Sequence, residues 1–484
     1  MLIGSNHAPN FLPRILATLA ICLLAGCTSV PIEEEHNVPL TRVDPATGYR
    51  LRNLLRASDN GSQNVVGHAS DNASDNHPGN DSLFINMTFS GGGTRAAALA
   101  YGVMRAMRET PIIWEGQQKT LLDEVDVINA VSGGSIPAAY YALYGERLFD
   151  DFEARFLRRN FQQELRSRIL SWAGLRNALS PRYGRGDMLA EHFDDELFDG
   201  KTFADFRKNR PLVIISASDM SLRARFEFVQ DQFDLICSDL NRLKVARAVA
   251  ASTALPVVFS PIRLTNNAGS CAPVTLPEPQ AGTLNRERAA RRVHELSTYQ
   301  DSTMRPNIHL IDGGLTDNLG LRSPLEAIDL AGGVYPAMKS LGVRGIRKHV
   351  FLVINAESRV NRFDIDQSPN LPDALVTAQA AAQIPLLRYS FETLELLRAR
   401  FATWRQEIKN AAALDPDPVY APDVEFILIN INLQSVRDPV ERKALLEIPT
   451  NFSLNDEQVD HLLRVGGELL RQSEGFQRLM RDLQ

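Results

Sequence analysis

Short apolar stretches alternate with helical patterns along most of the chain. The stretch 83–89 predicts a strand, and the alanine-rich segment 96–108 after it predicts a helix. The same order recurs in 125–131 and 136–144. Further strands are predicted over 212–217, 308–311, 349–355 and 424–431, and further helices over 242–253 and 373–413. This alternation indicates an α/β fold with a mostly parallel central sheet covered by helices.

Two segments depart from this alternation. Residues 57–82 contain the unit Ala-Ser-Asp-Asn at positions 57, 69 and 73, and Val65 and Val66 are their only branched apolar residues. Such a segment cannot bury enough surface to offset the entropy of ordering it, so it predicts a flexible tether before a fold that begins at Ser82. Residues 455–483 predict an amphipathic helix that is interrupted near Gly466 and Gly467.

The apolar run at the N-terminus predicts export. Residues 15–24 are apolar, follow Arg14 and are too few to span a bilayer as a helix. The run ends in Leu-Ala-Gly-Cys at 24–27, which resembles a bacterial lipobox with Cys27 as the lipidated first residue of the mature chain. Thr at position 28, rather than Asp, favours the outer membrane by the same resemblance. An ordinary signal peptide and a buried strand are the alternatives.

Composition and charge exclude several classes of protein. The chain has 484 residues, of which 44% are hydrophobic and 23% charged, as in ordinary globular proteins rather than disordered, collagen-like or polytopic membrane chains. The net charge of −6, without a basic stripe, argues against a nucleic-acid partner. Of the four cysteines, Cys22 leaves with a signal peptide, and Cys237 and Cys271 remain as one possible disulfide or as two free thiols.

A glycine-rich turn follows the first predicted strand. Ser90-Gly91-Gly92-Gly93-Thr94-Arg95 leaves backbone N–H groups uncovered at a helix N-terminus, which is an anion site for a phosphate or an oxyanion. No Gly-Lys-Ser/Thr follows and the glycine spacing is not that of a dinucleotide fingerprint, so a nucleotide loop is excluded. By itself the run is also compatible with a tight turn.

Serine lies at the next strand-to-helix junction. Ala130-Val131-Ser132-Gly133-Gly134-Ser135 has small residues on both sides of Ser132, as in a nucleophile elbow. The usual Gly two residues before the Ser is Ala130 here. A helix N-cap is the alternative role of Ser132, and Ser135 is a second candidate that fits the first helical turn better.

The strand 308–311 ends in an aspartate. Asp312 is followed by Gly313 and Gly314, and a carboxylate on a glycine turn at a strand end can approach another backbone closely. An Asx turn is the alternative, with Asp317-Asn318 as a further turn.

These motifs together resemble the patatin-like phospholipase family. The family's Gly-Gly-Gly-x-Arg loop is matched by Gly91–Gly93 and Arg95, its serine elbow by Ser132 and its Asp-Gly-Gly by 312–314. A fourth match is Ala-Ser-Thr-Ala-Leu-Pro at 251–256, followed by Phe259 and Pro261. The order and spacing agree over 83–358, which implies a patatin-like α/β domain.

The resemblance implies a Ser–Asp dyad. Ser132 would attack an acyl ester and form an acyl-enzyme, and Asp312 would accept its proton without a histidine. Gly91, Gly92, Gly93 and Gly133 would form the oxyanion hole, with Arg95 in support. No metal or other cofactor is needed, and the sequence has no clustered His/Cys ligand spacing.

The histidines agree with a dyad. Four of the nine histidines lie in the signal or tether region. His192 lies in the helical insertion, and His309 and His349 lie inside or at the start of apolar strands rather than at strand C-termini. His294 and His461 have charged neighbours and are expected to be exposed.

The insertion at about 150–210 has two interpretations. Residues 151–185 contain eight Arg and three acidic residues with interleaved aromatic and aliphatic side chains. A basic, apolar face can lie on an anionic membrane, and it can equally form a helical cap on the core, which is the interpretation we favour.

The sequence therefore predicts a lipid-anchored serine hydrolase of acyl esters, acting on phospholipids or lysophospholipids in the bacterial cell envelope. Its expected divisions are a signal peptide (1–26), an N-terminal segment with the tether (27–82), a hydrolase domain (83–435) and a C-terminal helical segment (436–484). The alternatives are an α/β-hydrolase with a Ser–His–Asp triad and a catalytically silent lipid-binding lipoprotein.

Overall fold

The structure, a computed structural model, describes residues 37–55, 82–171, 183–279, 285–358 and 363–483. The strands are β1 Val38–Pro39, β2 Leu83–Phe89, β3 Pro111–Trp114, β4 Gln117–Thr120, β5 Val125–Val131, β6 Leu212–Asp219, β7 Ala224–Glu227, β8 Ser238–Asp239, β9 Ile262–Thr265, β10 Asn307–Ile311, β11 Ile346–Asn355 and β12 Tyr420–Asn432. The predicted signal peptide and Cys27 lie outside the described residues.

The α-helices connect and cover these strands. They are α1 Gly93–Arg108, α2 Ser135–Tyr144, α3 Leu148–Phe152, α4 Phe161–Ile169, α5 Arg185–Phe193, α6 Gln230–Asp234, α7 Val245–Thr253, α8 Arg286–Ser297, α9 Gly314–Asp317, α10 Arg322–Leu330, α11 Val334–Leu341, α12 Phe363–Gln367, α13 Ala374–Ala412, α14 Pro439–Leu446, α15 Asp456–Gln472 and α16 Glu474–Met480. Among the described residues, no helix is both long enough and apolar enough to cross a bilayer.

The main sheet is mixed and mostly parallel. Its strand order is β12-β11-β2-β5-β6-β10-β9, and β7 also pairs with β6. The run from β12 to β6 is parallel, and the pairs β6–β7, β6–β10 and β10–β9 are antiparallel. Every residue of β2 and of β5 is buried, as expected for central parallel strands with helices on both faces. The predicted fold class is confirmed.

The direction of β10 is the main departure from a wholly parallel sheet. Leu310 pairs with Asp219 and Ile311 with Ser218, so β10 starts beyond the end of β6 and runs back along it. The residues after β10 therefore return toward the C-terminal end of β5, where Val131 pairs with Ser216. This antiparallel strand brings Asp312 to the same edge as Ser132.

The C-terminal helix is continuous through its glycines. The predicted interruption near Gly466 and Gly467 is wrong, because α15 runs through both residues and ends before Ser473. A Cβ on Gly466 would lie 3.0 Å from the carbonyl oxygen of Leu99 in α1, and one on Gly102 of α1 would lie 2.5 Å from that of Leu463. The glycines thus let α15 pack closely on the helix that follows the glycine loop.

The fold begins earlier than Ser82. Residues 37–55 pack on the body: β1 pairs with β8, Tyr49 is buried, and Arg50 forms a 2.6 Å ion pair with Asp234. The prediction that the fold begins at Ser82 is therefore wrong. Residues 57–81, which the sequence predicts to be a flexible tether, lie outside the described residues. The composition of residues 57–82 gave no information about the contacts that residues 37–55 make with the body.

The arginine-rich insertion packs as a cap. Phe152, Phe156, Phe161 and Leu165 are buried. Four of its arginines pair with carboxylates, in the ion pairs Arg155–Asp199, Arg158–Asp460, Arg159–Glu196 and Arg168–Asp195. These contacts favour the cap over the membrane-facing interpretation. Trp172 lies outside the described residues.

A disulfide closes the edge near β8. Cys237 and Cys271 are bonded, with their Cα atoms 5.6 Å apart. The N–H of Leu40 donates to the carbonyl oxygen of Cys237, and the hydroxyl of Ser270 donates to that of Leu40. Of the two states that the sequence left open for these cysteines, the structure has the bonded one, and it lies where the N-terminal segment docks.

Candidate active site

Ser132 occupies a strained turn between β5 and α2. Its φ is +49°, in the left-handed region that residues other than glycine rarely adopt. Gly133 and Gly134 are required by close packing, because a Cβ on Gly133 would lie 2.0 Å from the carbonyl oxygen of Gly93, and one on Gly134 would lie 2.7 Å from that of Ser90. The two glycine turns are therefore in direct contact, and Ser132 lies at their junction.

Ser132 and Asp312 form a hydrogen-bonded pair. The Ser132 hydroxyl donates to Oδ2 of Asp312 at 2.9 Å, and both side chains are buried. Burial raises the pKa of Asp312 to about 6, against the opposing effects of the N–H of Gly314 and the hydroxyl of Ser132, which stabilise the carboxylate. The pair thus joins a hydroxyl to a carboxylate whose basicity is increased by desolvation.

Backbone contacts hold Asp312 in place. Its Oδ1 accepts the N–H of Gly314 at 2.8 Å, and its own N–H donates to the carbonyl oxygen of Ala254 at 3.0 Å. A Cβ on Gly313 would lie 2.2 Å from the carbonyl oxygen of Ser216, so the turn after Asp312 fits only a glycine against β6. These bonds leave Oδ2 directed at Ser132.

Ser252 supports both partners, a role that the sequence interpretation missed. Its hydroxyl accepts the N–H of Ser132 at 2.8 Å and donates to the carbonyl oxygen of Ser216 at 2.6 Å. Its carbonyl oxygen accepts the N–H of Gly313 at 3.0 Å. The Ala-Ser-Thr-Ala block at 251–254 was the available signal for this residue, but nothing in the block shows which backbone groups it contacts.

The glycine loop presents backbone donors beside the pair. Gly92 has φ +141° and Gly93 has φ +60°, so both adopt conformations that favour glycine. The N–H of Gly91 donates to the carbonyl oxygen of Asn318 at 3.0 Å, which positions the loop but uses that donor. In the described part of the chain, the N–H groups of Gly92, Gly93 and Gly133 have no protein acceptor.

Arg95 ties the loop to the C-terminal segment. Its guanidinium is buried and donates to the carbonyl oxygens of Ala356 and Ile448 and to the hydroxyl of Thr450. Desolvation lowers the pKa of Arg95 to about 10, opposed by the charge of Glu357. The contacts give Arg95 a supporting position rather than a place beside Ser132.

Ser135 and Ala130 have different surroundings from Ser132. The hydroxyl of Ser135 donates to the carbonyl oxygen of Ser132 at 2.6 Å, as in the first turn of a helix, and does not bond Asp312. Ala130 is fully buried in β5, where it pairs with Phe89 and Ile215. Alanine at this position fits the buried strand, and the turn forms without the usual glycine.

The histidines do not join the Ser–Asp pair. His349 is buried among aromatic rings, its Nδ1 is 3.0 Å from the hydroxyl of Tyr420, and burial lowers its pKa to about 3. His309 points outward from β10 and His294 is exposed. His461 is half-buried rather than exposed, since it bonds Glu441 at 2.7 Å.

Across the described ranges, no group of three or more His, Cys, Asp or Glu side chains is arranged to hold a metal ion.

The arrangement has the parts that acyl transfer requires. A buried hydroxyl is bonded to a base, and unpaired backbone N–H groups lie on the adjacent turn, where they could stabilise an oxyanion. Ser132 and Asp312 come together as the sequence predicted, and Gly92, Gly93 and Gly133 adjoin them.

One protein-family model and several solved structures are similar to this chain. The family model described as patatin-like phospholipase matches residues 87–325. Among solved structures, human GIVD cytosolic phospholipase A2 is similar with a TM-score of 0.46 and 13% identity, covering 94% of this chain and 68% of that one. VipD from Legionella pneumophila is similar with a TM-score of 0.30 and 12% identity, covering 84% and 67%. No curated protein sequence matches.

Proposed function

Because residues 87–325 belong to the patatin-like phospholipase family and the chain is therefore an acyl hydrolase, we propose that it cleaves lipid acyl esters through Ser132 and Asp312. The observation that carries this proposal is the 2.9 Å hydrogen bond from the Ser132 hydroxyl to Asp312 in a buried site. The proposed reaction is of the phospholipase A or lysophospholipase type.

The proposed mechanism has two half-reactions. Ser132 Oγ attacks the acyl carbonyl while its proton passes to Oδ2 of Asp312, and the N–H groups of Gly92, Gly93 and Gly133 stabilise the oxyanion. The tetrahedral intermediate expels the alcohol, which takes the proton from Asp312. Water then attacks the acyl-enzyme with Asp312 as the base, and the fatty acid leaves with Ser132 regenerated.

We also propose where the protein acts. The Leu-Ala-Gly-Cys sequence at 24–27 supports a lipid anchor on Cys27 and an outer-membrane location facing the periplasm. Incorporation of labelled fatty acid into the wild type and its loss in Cys27→Ser would support the anchor. A chain that is cleaved but unlabelled would be a plain secreted protein instead.

Product analysis tests the reaction. The protein should hydrolyse a short-chain nitrophenyl ester, and it should release fatty acid and lysophospholipid, or the fully deacylated head group, from phospholipid. Ester turnover that does not depend on Ser132 would refute the mechanism. Lipid binding without turnover by the folded wild type would favour the silent lipid-binding alternative.

A further inference from the structure

Helix α13 is longer than the sheet that it crosses. Its 39 residues span about 58 Å at 1.5 Å per residue. The strands it connects, β11 and β12, have 10 and 13 residues, or about 33 and 43 Å. Since β11 and β12 are parallel, α13 returns from the C-terminal edge of the sheet to the N-terminal edge. It is about 15 Å longer than β12, and its first half contains Pro385.

The burial pattern shows which end of α13 extends. None of its described side chains between positions 376 and 389 is buried, whereas Leu397, Phe401, Trp404 and Ile408 are buried against the body. The extending half is therefore the first half, which starts after β11 at the C-terminal edge of the sheet. Ser132 follows β5 at the same edge, because β2 and β5 run parallel to β11.

This extending half of α13 is uncharged, and its described side chains are exposed or half-buried. Residues 374–387 contain no Asp, Glu, Lys or Arg, and Ile384 is 62% exposed. Surface helices ordinarily present charged residues on the face away from the core. An uncharged helical segment whose described side chains are not buried is therefore poorly suited to water and suited to an apolar phase.

Further exposed apolar residues adjoin the Ser–Asp pair along the chain, and one of them lies on a helix that contacts α13. Leu315 follows Asp312 closely on α9, which contacts α13. Leu255, Val257 and Val258 come directly after Ala254, whose carbonyl oxygen accepts the N–H of Asp312. Together we call Leu255, Val257, Val258, Leu315 and Ile384 the apolar collar.

Val257 is the most unusual member of the collar. It is 83% exposed and has φ +72°, a conformation that is strained for a β-branched residue. The carbonyl oxygen of Val257 accepts a 2.9 Å hydrogen bond from the exposed guanidinium of Arg185. An exposed apolar side chain and a cation therefore lie side by side. This pair would suit a membrane surface, where acyl chains would contact Val257 and phosphate groups would contact Arg185.

The N-terminal segment leaves the fold on the same side. Asn37 bonds the backbone of Thr265, which pairs with Asn307 at the start of β10, beyond the C-terminal end of β6. Ten peptide units separate Cys27 from Asn37, a reach of about 35 Å at most. A lipid on Cys27 would therefore hold this side of the molecule close to the membrane.

We propose that the apolar collar rests on the surface of a phospholipid bilayer, so that an acyl ester reaches Ser132 from the membrane without crossing water. This inference rests on the proposed function and names how that site meets its substrate. The collar contributes apolar contact, and Arg185 contributes a partner for a lipid phosphate.

The first test compares two exposed apolar residues at opposite ends of α13. Ile384→Glu and Leu414→Glu are made in the full-length chain; Leu414 is 87% exposed and follows the far end of the helix. Each is assayed on phospholipid vesicles and on a soluble short-chain ester. The ratio of vesicle to ester turnover should fall about tenfold or more in Ile384→Glu and stay within about twofold in Leu414→Glu. Equal ratios would overturn the proposal.

The second test measures contact without hydrolysis. Ile384→Trp and Leu414→Trp are placed in a Ser132→Ala background and mixed with vesicles whose acyl chains carry bromine, which quenches tryptophan fluorescence on contact. Fluorescence of the Ser132→Ala chain alone is subtracted. Quenching should occur for Ile384→Trp and not for Leu414→Trp, and the reverse or equal quenching would overturn the collar.

The remaining outcomes separate the collar from the proposed function. A wild type that turns over neither ester nor vesicle lipid would refute the proposed function, while the quenching experiment would still decide the collar. A lipid-free dimer that Ile384→Glu dissociates, detected by light scattering, would assign this face to a second copy and overturn the membrane proposal.

Discussion

The hydroxyl of Ser132 donates a 2.9 Å hydrogen bond to Oδ2 of Asp312, although the two residues are 180 positions apart in the sequence. Two glycine turns make this contact possible. Gly133 lets the elbow approach the loop at Gly93, and Gly313 lets the turn after β10 approach β6.

The nucleophile can be identified by covalent labelling. A fluorophosphonate should label Ser132, and Ser132→Ala should remove both the label and ester turnover, since the Ser132 hydroxyl is the one bonded to the base Asp312. Ser135→Ala is the matched control: its hydroxyl bonds the carbonyl oxygen of Ser132, so its loss should leave labelling in place. Labelling that persists in Ser132→Ala and disappears in Ser135→Ala would move the nucleophile.

The base can be identified by substitution. Asp312→Asn keeps the shape of the side chain but cannot accept the Ser132 proton, so turnover should fall about 10³-fold or more. His309→Gln should keep most activity, because His309 points out of β10 away from the pair. His349→Gln should lower stability, because His349 is buried among aromatic rings, while the folded fraction stays active. If either histidine variant were folded and inactive while Asp312→Asn still hydrolysed the ester, the Ser–Asp dyad would be wrong and a Ser–His–Asp triad would replace it.

Stability provides the control for Asp312→Asn. Burial raises the pKa of Asp312 to about 6, so the folded state favours the protonated carboxyl, and its stability falls as pH rises from about 4 through 6. An asparagine does not titrate. Denaturant unfolding should therefore show the variant gaining stability relative to the wild type across this window, by up to about 3 kcal/mol at pH 7. A loss of stability at pH 7 would mean that the substitution damages the fold.

The same pKa sets the pH dependence of catalysis. The base must be ionised to accept a proton, so kcat/KM should fall as pH drops through about 6 and level off above it. Rate measurements from pH 4.5 to 8 on a neutral soluble ester, with folding checked at each pH by circular dichroism, would show this. A profile that stays flat down to pH 4.5 would contradict a desolvated Asp312 as the base.

The oxyanion loop can be tested at Gly92. Gly92→Ala places a Cβ 3.2 Å from the end of the Arg95 side chain and forces an unfavourable φ, so the N–H should turn from the oxyanion. We expect kcat to fall about 10²-fold with little change in KM. A change in KM alone would indicate that the loop holds a head group.

Two other glycines separate strain from catalysis at Gly92. Gly116→Ala is the matched control, with φ +77° and open space around the new Cβ, and kcat should be unaffected there. Gly93→Ala is a poorer test, since its Cβ would lie 2.3 Å from the carbonyl oxygen of Asn451 and displace the C-terminal segment.

The disulfide should stabilise the fold. Cys237 and Cys271 are 34 positions apart, and closing a loop of that length contributes about 3–4 kcal/mol in the chain-entropy model. Cys237→Ser or Cys271→Ser should lower the free energy of unfolding by that amount and shift the denaturation midpoint accordingly. A reductant should lower the midpoint of the wild type but not that of either variant. An unchanged midpoint in both variants would show that the bond contributes little.

The candidate pair was predictable because its signals are local. Apolar runs mark β5 and β10, glycines mark the turns after them, and Ser132 and Asp312 lie at the run-to-turn junctions. These properties depend on a few adjacent residues, so they can be read without knowing what lies across the sheet. The same is true of most strands and of helix α13.

Contacts between distant segments were not predictable in this way. Residues 37–55 contain few long apolar runs, yet Tyr49 and Arg50 fix them to elements more than 150 positions away. Gly466 and Gly467 look like helix breakers in sequence, and their purpose became visible only against α1. Glycine marks a close approach as well as a turn, and the sequence does not distinguish the two.

The sequence by itself therefore determined the fold class and the two residues of the candidate pair, since both are written in short-range periodicity and turn chemistry. Only the tertiary structure showed that β10 runs antiparallel to β6 and that the hydroxyl of Ser252 accepts the N–H of Ser132. It also showed that the N–H of Gly91 donates to the carbonyl oxygen of Asn318, and that half of α13 extends beyond the sheet. Each of these features depends on contacts between segments that are distant in the sequence. The local sequence at one position does not show which distant segment it contacts after folding.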